Sequence, residues 1–268
     1  MRAETAVLAV MAFVLGGCAG IEPRPQQVAS PLQAVTAFSL AQPNGTLPGG
    51  WQPWRLSKLK RLTSYELLNY DGTVVVKALS AASASGLMHP LDLDPRESPI
   101  LQWRWKVPKL IPGADNARRS TEDAPVRVVL SFDGDIDSLP LEERMFFDRI
   151  HAITGHRMPY ATLMYIWENQ AERGQVIQNP HTTRVQMVVA ESGSARTGTW
   201  KLETQNVYED YKRAFGKAPG RIKSIAIMTD TDNTGETVEA FYGDIAFLTR
   251  DEYARTSAIA PSGANVPQ

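Results

Sequence analysis

Apolar and polar residues alternate along much of the chain, the two-residue period of a half-buried β-strand. In residues 101–107, Leu101, Trp103, Trp105 and Val107 share one face, while Gln102, Arg104 and Lys106 share the other. Residues 126–132 repeat the pattern, with Arg127 pointing away from Val126, Val128, Leu130 and Phe132. The pattern makes Trp103 and Trp105 core residues and places the two arginines on polar faces. Residues 65–70 and 73–78 are β-prone runs joined by Asp71-Gly72, the dipeptide that a two-residue type I′ hairpin turn prefers. Residues 163–167, 183–190, 199–205, 221–229 and 237–248 complete the set of predicted strands.

Two segments change period. In residues 138–150 a capping Ser138 and an early Pro140 precede an acidic turn, and Leu141, Met145 and Ile150 then fall near one helical face. In residues 207–215, Tyr208, Tyr211 and Phe215 have helical spacing, and Gly216 and Pro219 end the run. Many short strands with Gly, Pro and Asp-rich connections, and only one or two short helices, predict a mainly β fold: a single β-sandwich or jelly roll.

The two ends lie outside this pattern. An apolar run from Ala6 to Leu15 is too short to span a bilayer and reads as the core of a signal peptide. It closes on Leu15-Gly16-Gly17-Cys18, which resembles the bacterial lipobox, where the cysteine becomes acylated. Ala19, rather than Asp, follows the cysteine, and among lipoproteins this resembles the outer-membrane address. The expected organisation is a signal peptide over 1–17, a lipidated Cys18 with a Pro- and Gln-rich tether to 36, a β-sandwich domain over 37–250 and a disordered tail over 251–268. The expected location is the periplasmic side of the outer membrane, or outside the cell.

Charge and composition remove several classes. The 268 residues carry 28 Lys+Arg against 29 Asp+Glu, so no basic surface exists to release counterions from a nucleic acid. One cysteine excludes an intrachain disulfide and a Cys-rich metal cluster. No nucleophile elbow, phosphate-binding loop, dinucleotide fingerprint or His-Glu-x-x-His motif is present. The acidic run Asp230-Thr231-Asp232-Asn233-Thr234-Gly235-Glu236 matches the front of a calcium loop and then departs from it, with Phe241 at the twelfth position. It reads either as a tight acidic turn or as a looser calcium site of Asp230, Asp232 and Asp244.

The stretches at 101–107 (LQWRWKV), 122–132 (EDAPVRVVLSF), 210–216 (DYKRAFG), 225–235 (IAIMTDTDNTG) and 241–247 (FYGDIAF) resemble the bacterial envelope family catalogued as domain of unknown function 3047. Glu122 stands where that family more often has Asp. The resemblance implies a secreted or lipid-anchored protein with a galactose-binding-like jelly roll similar to carbohydrate-binding modules, and no established activity. The expectation is a non-catalytic module of the cell envelope, binding a glycan or serving a structural role; the alternative is an envelope glycan hydrolase or lyase. Either would draw on Arg104, Arg127, Tyr165, Glu122 and Asp123. For Arg127 two roles stay open, a ligand contact or an internal salt bridge to Asp123 or Glu122.

Overall fold

A computed structural model describes residues 34–259; the expected signal peptide, Cys18 and most of the tether, together with 260–268, lie outside the described residues. Twelve strands are described: β1 (Gln52–Trp54), β2 (Ser64–Tyr70), β3 (Thr73–Ala81), β4 (Ala84–Leu93), β5 (Ile100–Lys106), β6 (Ala124–Phe132), β7 (Ala161–Glu168), β8 (Val176–Gln178), β9 (Val185–Ser192), β10 (Lys201–Asn206), β11 (Ile222–Asp230) and β12 (Thr237–Leu248). They form a seven-stranded sheet in the order β1-β4-β11-β6-β7-β9-β8 and a five-stranded sheet in the order β10-β5-β12-β3-β2. All neighbours run antiparallel except β7 and β9. The two sheets share one hydrophobic core, so the protein is a mainly β sandwich.

The alternation in β5 works as the sequence requires. Trp103 and Trp105 are 1% and 0% exposed between the sheets, with Trp105 6.4 Å from Trp167 of β7. In β6 both faces are buried: Val128 and Leu130 join the central core, while Val129 packs outward with Ala84, Ala226 and Met228. Strand β4 is weakly marked in the sequence: Leu87, Leu91 and Leu93 share the face toward the central core, but the strand opens on Ala84-Ser85-Gly86, carries Pro90 and lacks β-branched residues. Its place between β1 and β11 depends on Gly86. A Cβ there would lie 2.4 Å from the Ile227 carbonyl oxygen and 2.9 Å from the Trp54 ring, so only glycine lets these strands approach.

Three helices are described where one or two are expected. α1 (Leu141–Thr154) starts and ends later than the pattern suggests, stopping at Gly155 with φ 76°. α2 (Val207–Phe215) has the expected bounds; Asn206 accepts from the Glu209 backbone N–H, and Gly216 terminates it at φ 71°. α3 (Arg250–Ile259) occupies the start of the segment expected to be a disordered tail. A capping box explains it: Thr249 N–H donates to Glu252 Oε2 at 2.8 Å, and Glu252 N–H donates to Thr249 Oγ1 at 3.1 Å. Among the described residues no helix is long and apolar enough to cross a membrane.

Candidate functional site

The outer face of the five-stranded sheet carries an arrangement that inverts ordinary strand patterning. On edge strand β10 the carboxylate of Glu203 points inward, 3% exposed, where Arg173 reaches it at 3.3 Å. Trp200, just before the strand, and Leu202 therefore project outward, and Leu202 is 71% exposed. Leu202 pairs in register with Arg104 of β5, and Phe241 of β12 pairs with both Lys106 and Lys77. Tyr70, Trp200 and Phe241 form one aromatic group, with centroids 5.0 Å apart for Tyr70–Phe241, 5.9 Å for Tyr70–Trp200 and 6.5 Å for Trp200–Phe241. The Arg104 guanidinium lies 4.9 Å from the Trp200 ring centroid, and Lys106 donates to the Tyr70 hydroxyl at 2.6 Å. Apolar rings beside cationic donors can hold the C–H face of a sugar and its hydroxyls together.

Arg104 is the one expected ligand residue on this face. Tyr70, Lys106, Trp200 and Phe241 were missed, because strand alternation tells which residues share a face and not which face is solvated. The available signal was Trp200-x-Leu202 immediately before Glu203, two large apolar residues on the strand face opposite a carboxylate.

Most other expected residues converge on a buried polar cluster in the other sheet. Arg127, 1% exposed, places Nε 2.9 Å from Asp230 Oδ1 and Nη2 3.2 Å from Asp230 Oδ2. Nη2 also donates to the Glu122 carbonyl at 3.1 Å, and Nη1 lies 3.7 Å from Glu122 Oε1. The main partner is thus Asp230, not the expected Asp123 or Glu122. Burial works against the charge on Arg127, but the Asp230 and Glu122 carboxylates outweigh it and raise its pKa. Burial pushes the Asp230 carboxyl up while Arg127 pulls it back; the two-point contact marks the pair as ionised. Burial likewise raises Glu122, with Arg127 opposing, and Asn179 donates to its Oε1 at 2.8 Å.

The acidic turn closes over this cluster. Asp123 accepts from the backbone N–H of Thr234 at 2.7 Å and of Asn233 at 3.2 Å, and Lys60 pairs with Asp232. Asp123, Asp230 and Asp232 each offer a carboxylate oxygen within 4.8 Å of the others, so this trio could hold a metal ion. Asp244, expected as a third ligand, is placed elsewhere: it accepts from Ser39 N–H at 2.9 Å and from Ser39 Oγ at 2.5 Å, fastening the N-terminal segment to β12. The trio is completed by Asp123 because β6 and β11 are neighbours, a pairing that sequence spacing does not encode.

Tyr165, expected beside a ligand, is in the core. It is 0% exposed, its ring is 5.0 Å from Trp103, its hydroxyl donates to Asp210 Oδ2 at 2.8 Å, and burial holds its pKa well above the ordinary tyrosine value. Arg104 and Arg127 lie on different sheets and do not line one concave face. A separate cleft of about 610 Å³ near the end of β7 is lined by Asp115, Arg118, Thr121, Glu168, Gln170 and Gln175. Its buried carboxylate, Glu168, accepts from the N–H of Gln170 at 2.6 Å and of Ala171 at 2.8 Å, which assigns it to holding the loop.

The sequence pattern of a family described as Protein of unknown function (DUF3047) matches residues 49–246. No curated protein matches the chain. Among solved structures, a family 11 carbohydrate-binding module of cellulosomal cellulase Lic26A-Cel5E of Clostridium thermocellum aligns at TM-score 0.39 and 10% identity, over 81% of this chain and 96% of that one. A family 30 carbohydrate-binding module of the cellulosomal cellulase Cel9D-Cel44B of the same organism aligns at 0.37 and 11%, over 74% and 92%. A β-1,2-glucanase from Parabacteroides distasonis aligns at 0.35 and 9%, over 75% of this chain and 23% of the glucanase.

Proposed function

We propose that this chain, which belongs to the DUF3047 family, is a non-catalytic glycan-binding module of the bacterial cell envelope. The observation that carries the reading is the outward Trp200 and Leu202 on edge strand β10, grouped with Tyr70, Phe241, Arg104 and Lys106 while Glu203 turns inward. A strand that exposes its apolar residues and buries its carboxylate loses hydrophobic stabilisation, about 25 cal/mol per Å² of apolar surface left in water, unless a partner covers that surface. The two acids put forward for a hydrolase are engaged in the structure: Asp123 by the backbone N–H groups of Asn233 and Thr234, and Glu122 by Asn179 and Arg127. In a glycan array with the full chain in mild detergent, binding is expected, and Trp200→Ala should weaken it about tenfold or more, the loss of roughly 1.4 kcal/mol. Binding unaffected by Trp200→Ala would move the site off this face. Release of new reducing ends or unsaturated products would favour the hydrolase or lyase alternative.

The module is further proposed to hang from the outer membrane by an acylated Cys18, facing the periplasm, since the chain's only cysteine closes the lipobox-like tetrapeptide. Cells fed radiolabelled palmitate should label the wild type and not Cys18→Ser, and the variant should leave the membrane fraction or remain unprocessed. Equal labelling of both would refute acylation at Cys18.

A second reading, calcium at Asp123, Asp230 and Asp232, is favoured by charge balance. Four carboxylates, these three and Glu122, face two cations, Arg127 and Lys60. Asp230 Oδ1 accepts two hydrogen bonds, but Asp230 Oδ2 and both Asp123 oxygens accept one each and keep a lone pair, and calcium accepts irregular oxygen coordination. Millimolar calcium should then raise the melting temperature over EDTA by several degrees, as about 2.7 kcal/mol of mass-action stabilisation at one hundred times the dissociation constant requires. Asp232→Asn should abolish the shift and magnesium should not reproduce it. No calcium-specific shift would leave an acidic turn balanced by Lys60 and Arg127.

A further inference from the structure

We infer that the ligand of the outer sheet face is an acidic saccharide, whose carboxylate is taken by Arg104 with Lys106 beside it. The inference rests on the glycan-binding reading and specifies its substrate class. Arg104 is held in place without being neutralised. On one side its guanidinium stacks on Trp200 at 4.9 Å. On the other it crosses Gly243, where a Cβ would fall 2.3 Å from Arg104 Nε and 2.4 Å from its Cγ, so glycine clears the path for the side chain. Among the described residues no carboxylate lies within salt-bridge distance of Arg104 or Lys106, and no hydrogen bond uses the guanidinium. Lys106 is engaged only with Tyr70, through its hydroxyl and, at 4.8 Å, its ring.

Elsewhere the same face balances its charge. Lys77, in register with Phe241 from the opposite side, is met by Glu239 at 2.8 Å and by Glu66 at 3.7 Å. Among the described residues of this sheet face, positive charge is thus left uncompensated only beside the aromatic group. A preorganised guanidinium fork matches the two oxygens of a carboxylate, and two cations two residues apart on one strand attract an anion that a neutral sugar cannot imitate. The apolar ring face of the same saccharide would lie toward Leu202 and the exposed part of Trp200.

The test titrates the full chain in mild detergent with an oligogalacturonate, with its methyl ester, with a muramic-acid-containing glycan strand and with a neutral β-glucan oligosaccharide. Acid should bind at least tenfold more tightly than ester or neutral sugar, and the preference should shrink as salt is raised. Whichever acid binds identifies the source of the carboxylate. Arg104→Gln should cost the acid at least tenfold more affinity than it costs the ester and so remove the preference, and Arg104→Lys should restore it only in part, because an ammonium lacks the fork. Thermal melts of both variants establish that they are folded. Equal affinity for acid and ester, lost in Trp200→Ala, would overturn the acidic-ligand inference and leave the glycan reading intact. Binding to none of the four would count against both.

Discussion

Replacing Arg127 by alanine is expected to lower the melting temperature by roughly 10 °C, because it strands the Asp230 carboxylate in the core at a cost of about 3 to 5 kcal/mol. Both members of the pair are buried, at 1% and 4% exposure, so water cannot replace the lost partner. Truncation also leaves a void beside Met187 and removes the Nη2 bond to the Glu122 carbonyl at 3.1 Å. The double variant Arg127→Met with Asp230→Leu separates the contributions. If the cost is an uncompensated charge, the double variant should recover much of the stability lost by the single one. Thermal melts of the three proteins at pH 7 decide the matter. A single variant melting within error of wild type would show that Arg127 is not a structural ion pair, and would return it to the ligand-contact role.

Trp105→Ala should be similarly damaging, and Trp200→Ala should not, although Trp200 immediately precedes the strand β10 that pairs with the strand of Trp105. Trp105 is 0% exposed and contacts Trp103, at 5.2 Å between centroids, as well as Trp167. Its removal deletes a large apolar side chain and leaves a cavity, costing about 3 to 5 kcal/mol. Trp200 lies on the outer face, where it meets Arg104, Tyr70 and Phe241, and truncation there should cost roughly 1 kcal/mol or less. Chemical denaturation of the two variants, read beside their glycan binding, tests both assignments together. Loss of binding without loss of stability in Trp200→Ala, and the reverse in Trp105→Ala, is the expected result. A stable Trp105→Ala would contradict its place in the core.

Much of the fold is legible in particular residues. Asp71-Gly72 specifies the β2–β3 hairpin: Asp71 has φ 51° and Gly72 φ 81°, the left-handed pair that a type I′ turn requires. Asn206 and Gly216 bracket α2 through side-chain capping and a left-handed stop. Helix α3 was also written in the chain, as the Thr249 and Glu252 capping box, and was masked by the small polar residues that follow it. Strand β4 was only weakly legible, since its identity comes from lying between β1 and β11.

The sequence by itself determined the β-rich class and the elements with a clear period or caps, such as β2, β3, β5, β6 and α2, and it set Trp103 and Trp105 on one face opposite Gln102, Arg104 and Lys106, because each depends on local periodicity or on caps within a few residues. The tertiary structure alone decided that Asp230, not Asp123 or Glu122, is the main partner of Arg127, and that Asp123 and not Asp244 joins Asp230 and Asp232. Those contacts join residues more than one hundred positions apart, so they exist only once β11 pairs with β6. It also decided that Trp200 and Leu202 face solvent while Glu203 faces in. A two-residue period groups side chains into faces without saying which face meets the opposite sheet, and that choice belongs to the packing of the whole sandwich.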